Sequence, residues 1–367
     1  MSQYRSLYDR SIHDSVAFWK EMAQTNLDWF SPFTSVSSGS LAHGDVAWFL
    51  NGKLNVSYNC VDRHVAAGRG DHTAILFEGD DPQDIRRISY AQLQEQVCKC
   101  ANALKRLGVR KGDAVALYMP MVPEAAVAML ACTRIGAPHS VVFAGFSAEA
   151  LRDRINDGHC HYVITADEGK RGGKTIPLKS TVDAALEHCP NVKSVLVLQH
   201  TRAPVPMHPH RDVDWTEALA AERGYCAPEW CDSEDTLFML FTSGSTGKPK
   251  GLVHTTAGYL LHALLTSKYV FDLHQDDVHC CAADIGWVTG HSYIVYGPLA
   301  LGVTTTMFES TPLYPDHNRY WQMIERHKLT TLYTAPTGQT TARGDGGRCG
   351  YEGATTERNG RKVMLPP

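Results

Sequence analysis

From Thr73 onward the chain alternates short apolar runs with helix-like stretches, and that alternation restricts it to a narrow group of folds. Residues 73–77, 114–118, 139–143, 162–165 and 194–198 read as buried strands, because they are short, apolar on both faces and bounded by turn residues. Between them lie helical segments. Ser89 with Gln92 three residues on has a capping-box pattern, predicting a helix to about Leu107 that Gly108 stops. An Ala-rich helix follows over 123–135, with others at 148–155 and about 181–188. The alternation resumes with strands at 236–241 and 303–308, a long helix after Thr255, a helix near 316–327 and a strand at 330–333. Strand-then-helix repetition predicts an α/β fold of mostly parallel sheets covered by helices on both faces.

Three segments fall outside this rhythm. Residues 1–71 are irregular and hold Trp19, Trp29 and Trp48, which predicts a cap packed on the larger part. Residues 202–215 carry three prolines and two histidines and read as a surface loop. Residues 338–367 hold seven glycines and no apolar period, so disorder is expected there. The expected division is therefore a cap at 1–71, a partial domain at 72–337 and an atypical tail.

Lys and Arg number 35 against 39 Asp and Glu, a formal net charge of −4, which gives no whole-chain attraction to nucleic acid or an anionic membrane. No run approaches the roughly 20 apolar residues a bilayer requires. The start of the chain has no apolar signal core, so a cytoplasmic location is expected, with an organelle open if a leader is missing. The 11 cysteines show no paired CxxC spacing and are read as reduced thiols. His159-Cys160-His161 alternates its side chains across a strand, so no metal site is expected.

The strongest chemical signal is the run Thr242-Ser243-Gly244-Ser245-Thr246-Gly247-Lys248-Pro249-Lys250-Gly251, directly after an apolar strand. Small residues let such a backbone curl and aim N–H groups at phosphate oxygens. Hydroxyls of Thr242, Ser243, Ser245 and Thr246 add donors, and Lys248 and Lys250 add charge. It is not a Walker P-loop, since Thr242 stands where the first Gly belongs and Pro249 where Ser or Thr belongs. A flexible linker is the alternative for a Gly/Ser-rich run. The strand before it and a helix expected over 255–268 favour a polyphosphate loop.

This run resembles the signature loop of adenylate-forming enzymes. Asp284-Ile-Gly-Trp-Val-Thr-Gly-His-Ser-Tyr293 with Tyr296-Gly-Pro-Leu299 is similar to the acyl-pocket segment of AMP-forming acetyl-CoA synthetases. Tyr118-Met-Pro-Met-Val-Pro-Glu124, Val142-Phe-Ala-Gly-Phe146, Tyr269-Val-Phe-Asp272, Phe308-Glu-Ser310 and Tyr333-Thr-Ala-Pro-Thr337 match that family too, and residues 8–19 look like the start of its cap. The resemblance covers about 4–337.

It implies an acetate–CoA ligase. Acetate attacks the α-phosphate of ATP with Mg²⁺ present, pyrophosphate leaves, and coenzyme A then takes the acetyl group from acetyl-AMP. By this resemblance Thr242, Ser243, Gly244, Ser245, Thr246, Gly247, Lys248 and Lys250 would hold the leaving phosphates. Trp287, Val288 and Thr289 would line the acyl site. An indole and a valine there favour a short chain, since one methylene is worth about 1–3 kcal/mol. Arg171 and Lys174 would meet coenzyme A at its phosphate end, Gly145 would lie near its adenine, and Gly172, Gly173 and Thr289 would also contact the coenzyme. A propionate synthetase uses the same motifs, and a solvated basic loop at 170–174 and a plain core aromatic at Trp287 are the structural alternatives. No protein-held metal, nucleic acid or membrane partner is expected, and the oligomeric state is left open.

After Thr337 the match stops. The family's adenine-contacting segment, its ribose-binding Asp and the C-terminal domain with the catalytic Lys have no counterpart in 338–367. The expectation is an incomplete ligase without turnover, or a fragment that only binds phosphate or coenzyme A.

Overall fold

Residues 73–77 are apolar on both faces of the strand they build, and Thr73–Glu78 is accordingly buried along nearly its whole length in the computed structural model. The structure describes residues 2–242 and 249–334. Val115–Tyr118, Tyr162–Ala166 and Ser194–Leu198 show the same two-sided burial, the mark of strands sandwiched between helices.

These strands form two sheets. The first has seven strands in the order Asp212–Asp214, Ser194–Leu198, Tyr162–Ala166, Val115–Tyr118, His139–Val141, Thr236–Thr242 and Lys250–Thr255. All its pairings are parallel except the last. The second has five strands in the order Thr331–Tyr333, Val278–Cys281, Thr304–Phe308, Thr73–Glu78 and Ile85–Ser89, again parallel except for the last pair. The expected fold class is therefore the observed one.

The helices follow their sequence signals. Ser89 caps Tyr90–Arg106 with both arms of the capping box present, and Gly108 beyond it adopts φ 102°. Pro123–Arg134 buries every residue except Glu124, which explains its many alanines: a helix surrounded on all sides packs closely when its side chains are small.

Residues 2–62 form helices Ser2–His13 and Ser15–Asn26 and the antiparallel pair Ser35–Ser38 with Ala47–Leu50. Phe18, Met22, Leu27, Phe49 and Leu54 enter the same apolar core as the first sheet. A polar fastening accompanies that packing. Buried Arg134 donates to both oxygens of Asp62 at 2.7 and 2.9 Å and to the Cys226 carbonyl at 2.7 Å. Asn55 donates to the carbonyls of Thr133, Arg134 and Glu229, so these buried groups are satisfied across distant parts of the chain.

The helix expected over 255–268 is present as Thr256–Tyr269. Several expectations need correction. Between the Gly/Ser/Thr run and that helix, Lys250–Thr255 forms a strand antiparallel to Thr236–Thr242 that the sequence does not announce. Within the expected loop 202–215, Asp212–Asp214 adds a parallel edge strand, and Trp215 is buried at the start of a short helix. Residues 170–174 lie in a hairpin, Gly169–Arg171 pairing with Lys174–Ile176, and Lys170, Arg171 and Lys174 stay exposed on it. The strands Ile85–Ser89 and Val278–Cys281 were not anticipated. Ten cysteines among the described residues are free and buried. No described helix is long and apolar enough to cross a membrane. The tail 338–367 lies outside the described residues.

Candidate functional site

Thr242 ends its strand and pairs directly with Lys250, which opens the returning one, and both side chains are exposed. Ser243, Gly244, Ser245, Thr246, Gly247 and Lys248 lie outside the described residues. Of the run, Thr242 and Lys250 stand on adjacent antiparallel strands at the edge of the first sheet.

A second group of the predicted residues gathers where the two sheets meet. The segment 284–289 packs against 143–146: a Cβ placed on Gly286 would lie 2.9 Å from the Phe143 Cα, so only glycine permits this approach. The Trp287 ring lies 6.1 Å from Phe143 and 6.4 Å from Phe146, the latter edge to face. Trp287 remains 50% exposed, which argues against a plain core aromatic. Val288 is half-exposed beside it, and Thr289 is half-buried in the short helical turn Val288–Gly290. Gly145 stands between the two phenylalanines, and a Cβ there would meet the Phe143 ring at 2.5 Å.

Arg171 reaches this group from the hairpin. Its guanidinium lies 5.5 Å above the Phe143 ring and 3.6 Å from the Asp284 carboxylate. Burial pushes the Asp284 carboxyl above its usual range, opposed by the Gly286 N–H, which donates to it at 2.8 Å, and by the Arg171 charge. Phe143 and Asp284 carry no local signal of a role, and their place beside Arg171 comes from tertiary packing. A narrow cleft opens here, lined by Met121, Arg171, Asp284, Phe308, Glu309 and Ser310.

Gly172 and Gly173 form the two-residue turn between the paired Arg171 and Lys174, with φ of 61° and 77°. Two left-handed residues in succession are what a tight hairpin turn demands, and glycine meets that demand without strain. Their N–H groups donate to the Asp80 carboxylate at 2.6 and 2.8 Å. Lys174 is exposed on the return strand.

A possible cation cluster lies elsewhere. Asp183, His208 and Asp212 approach one another, but Lys179 sits 2.7 Å from Asp183 and 2.8 Å from Asp212, and Arg211 bonds both. The lysine and arginine supply the positive charge a metal would bring. Cys160 is buried, with its thiol turned to the Gly158 carbonyl, so His159-Cys160-His161 offers no converging ligand set.

The parallel α/β platform, the exposed Thr242–Lys250 strand pair and the aromatic and basic cluster between the sheets accompany a sequence match to the AMP-binding enzyme family. The chain belongs to that family, which matches residues 62–342. Residues 4–60 match the acetyl-coenzyme A synthetase N-terminus. The acetyl-coenzyme A synthetase of Magnetococcus marinus is 57% identical over 335 residues, 91% of this chain and 52% of that protein. Acetyl-coenzyme A synthetase 2 of Pseudomonas aeruginosa is 57% identical over 334 residues, again 91% of this chain and 52% of the relative. The Dictyostelium discoideum acetyl-coenzyme A synthetase is 54% identical over 338 residues, 92% of this chain and 50% of its own length. The chain thus spans about half the length of the curated relatives it matches.

Proposed function

We propose that this chain supplies the phosphate loop, the acyl-site wall and the coenzyme-binding hairpin of an AMP-forming acetate–CoA ligase. The reaction couples two displacements. An acetate oxygen bonds to the α-phosphorus of ATP as the bond to pyrophosphate breaks. The coenzyme A sulfur then bonds to the acetyl carbon, its thiol proton is lost, and AMP leaves.

Both steps are electrostatically demanding, because charge grows on the transferred phosphoryl group and on the departing phosphates. Thr242 to Lys250 answer that demand with hydroxyls, main-chain N–H groups and two lysines. Mg²⁺ enters with the nucleotide as part of the substrate, since it binds phosphate oxygens and keeps much of its own water. Trp287, Val288 and Thr289 bound the acetyl group; Arg171 and Lys174 pair with coenzyme phosphates, and Gly145 leaves room for the adenine. The cap is assigned to 1–71 and the nucleotide-binding part to 72–337.

The observation that carries this reading is the convergence of Arg171, Phe143, Asp284 and Trp287 in a chain so close in sequence to acetyl-coenzyme A synthetases. Calorimetric titration of the chain with MgATP tests the phosphate loop. Binding is expected, and replacing both Lys248 and Lys250 by Ala should weaken it by about tenfold or more, as expected when two charge-assisted contacts are lost. A folded chain with no affinity for ATP, or a double variant that binds as well as the parent, would contradict the assignment.

A further inference from the structure

Asp80 follows the strand Thr73–Glu78, and Glu309 follows Thr304–Phe308. The two strands pair in parallel, Phe308 opposite Glu78, so both carboxylates emerge at the same end of the second sheet. Asp80 is 5% exposed and Glu309 3%, and carboxylates so buried require donors. Asp80 accepts from the Gly172 N–H at 2.6 Å, the Gly173 N–H at 2.8 Å and the Ser310 hydroxyl at 2.6 Å. Glu309 accepts from the Lys170 N–H at 2.9 Å and lies 2.9 Å from His200 Nε2.

Three main-chain N–H groups of the basic hairpin, which follows a strand of the first sheet, are therefore held by carboxylates of the second. Successive N–H groups in a left-handed turn make a concavity that attracts anions. In this hairpin Asp80 occupies it. The turn also fits closely, since a Cβ on Gly173 would lie 2.7 Å from the Tyr314 ring.

We infer that Asp80 and Glu309 are positioning residues that clamp the hairpin across the two sheets and set where Arg171 and Lys174 present their charges. The inference rests on the coenzyme role proposed for that hairpin. Gly172 and Gly173 then act through shape, and phosphate recognition passes to the flanking cations. Asp80 itself does not touch the coenzyme.

Asp80→Asn keeps the size of the side chain but turns one acceptor into a donor facing an N–H. The test uses the full chain labelled with ¹⁵N-glycine. Exchange of the Gly172 and Gly173 amides is followed by NMR, and coenzyme A and dephospho-coenzyme A are titrated by calorimetry. In the unaltered chain both amides should be protected, and in Asp80→Asn they should exchange at least about tenfold faster. Affinity for coenzyme A should fall by about tenfold, and the preference over dephospho-coenzyme A should narrow, because the cations are no longer aimed. General destabilisation would weaken both ligands alike and leave that ratio unchanged. Unprotected glycine amides in the unaltered chain overturn the clamp. Freed amides with an unchanged ratio overturn the positioning role. Absence of coenzyme A binding by the unaltered chain overturns the coenzyme role itself, while amide exchange still decides the clamp separately.

Discussion

His139 and His291 lie with their rings parallel and 5.8 Å apart, both fully buried, with the Tyr296 hydroxyl 2.9 Å from His139 Nε2. Burial, and then the neighbouring ring of His291, hold His139 well below its usual range. Burial pushes His291 down to about 3 against the opposing pull of the Trp287 carbonyl. His279 is lowered to about 4 by burial, and His64 to about 4 by burial and then by Arg63 and Arg69. In the unfolded chain these rings regain a pKa near ~6.5 and take up protons that the folded state refuses. Their effect is absent above that value and destabilises the fold progressively as pH falls from about 6.5 toward 4. Burial lowers His72 and His254 as well, so His200, raised because the Glu309 hydrogen bond and charge outweigh burial, acts in the opposite sense as one ring against six. Each ring that stays neutral adds about 1.4 kcal/mol of lost stability per pH unit below its unfolded pKa. Urea midpoints at pH 7, 6 and 5 should therefore fall steadily; a flat series would contradict the neutral burial of these histidines. None of this was legible in the sequence, where His291 is only one letter of the segment 284–293. Its burial arises from tertiary packing against His139 and Phe238.

At the scale of elements, legibility followed the source of each element's stability. Ser89 and Gln92 cap a helix through contacts local in sequence, so the helix start could be read directly. Ser89→Ala should cost about 1 kcal/mol through the lost cap, measured as a lower urea midpoint at unchanged slope. No change in midpoint would contradict the capping role. Strands dependent on a partner were harder to see. Lys250–Thr255 starts with Lys and Gly and leaves Leu252 and Val253 exposed, so no apolar alternation announces it; pairing with Thr236–Thr242 makes it a strand. Ile85–Ser89 is interrupted by Arg86 and Arg87 and takes its extended form from Thr73–Glu78. The turn at Gly172-Gly173 did carry a signal, since paired glycines between short segments mark a tight hairpin. Asp80 lies 92 residues away from it, a separation that no local pattern reports.

At the scale of the molecule, two mostly parallel sheets bring the segment 284–289, the basic hairpin and the buried carboxylate of Asp80 to one boundary. Residues 2–62 are fastened to this platform by a shared apolar core and by the Arg134–Asp62 pair. The α/β class was readable because buried parallel strands need apolar residues on both faces. The meeting of the sheets was not, because it depends on which strand ends face each other. We propose that these elements belong to an acetate-activating ligase. Joining residues 1–334 to the remaining half of the Magnetococcus marinus acetyl-coenzyme A synthetase, 57% identical over the shared part, puts that claim to direct trial. The measurement is ATP–pyrophosphate exchange by the purified, folded chimera, with and without acetate. Exchange that depends on acetate is the predicted result; a folded chimera whose exchange is no greater with acetate than without it would contradict the account.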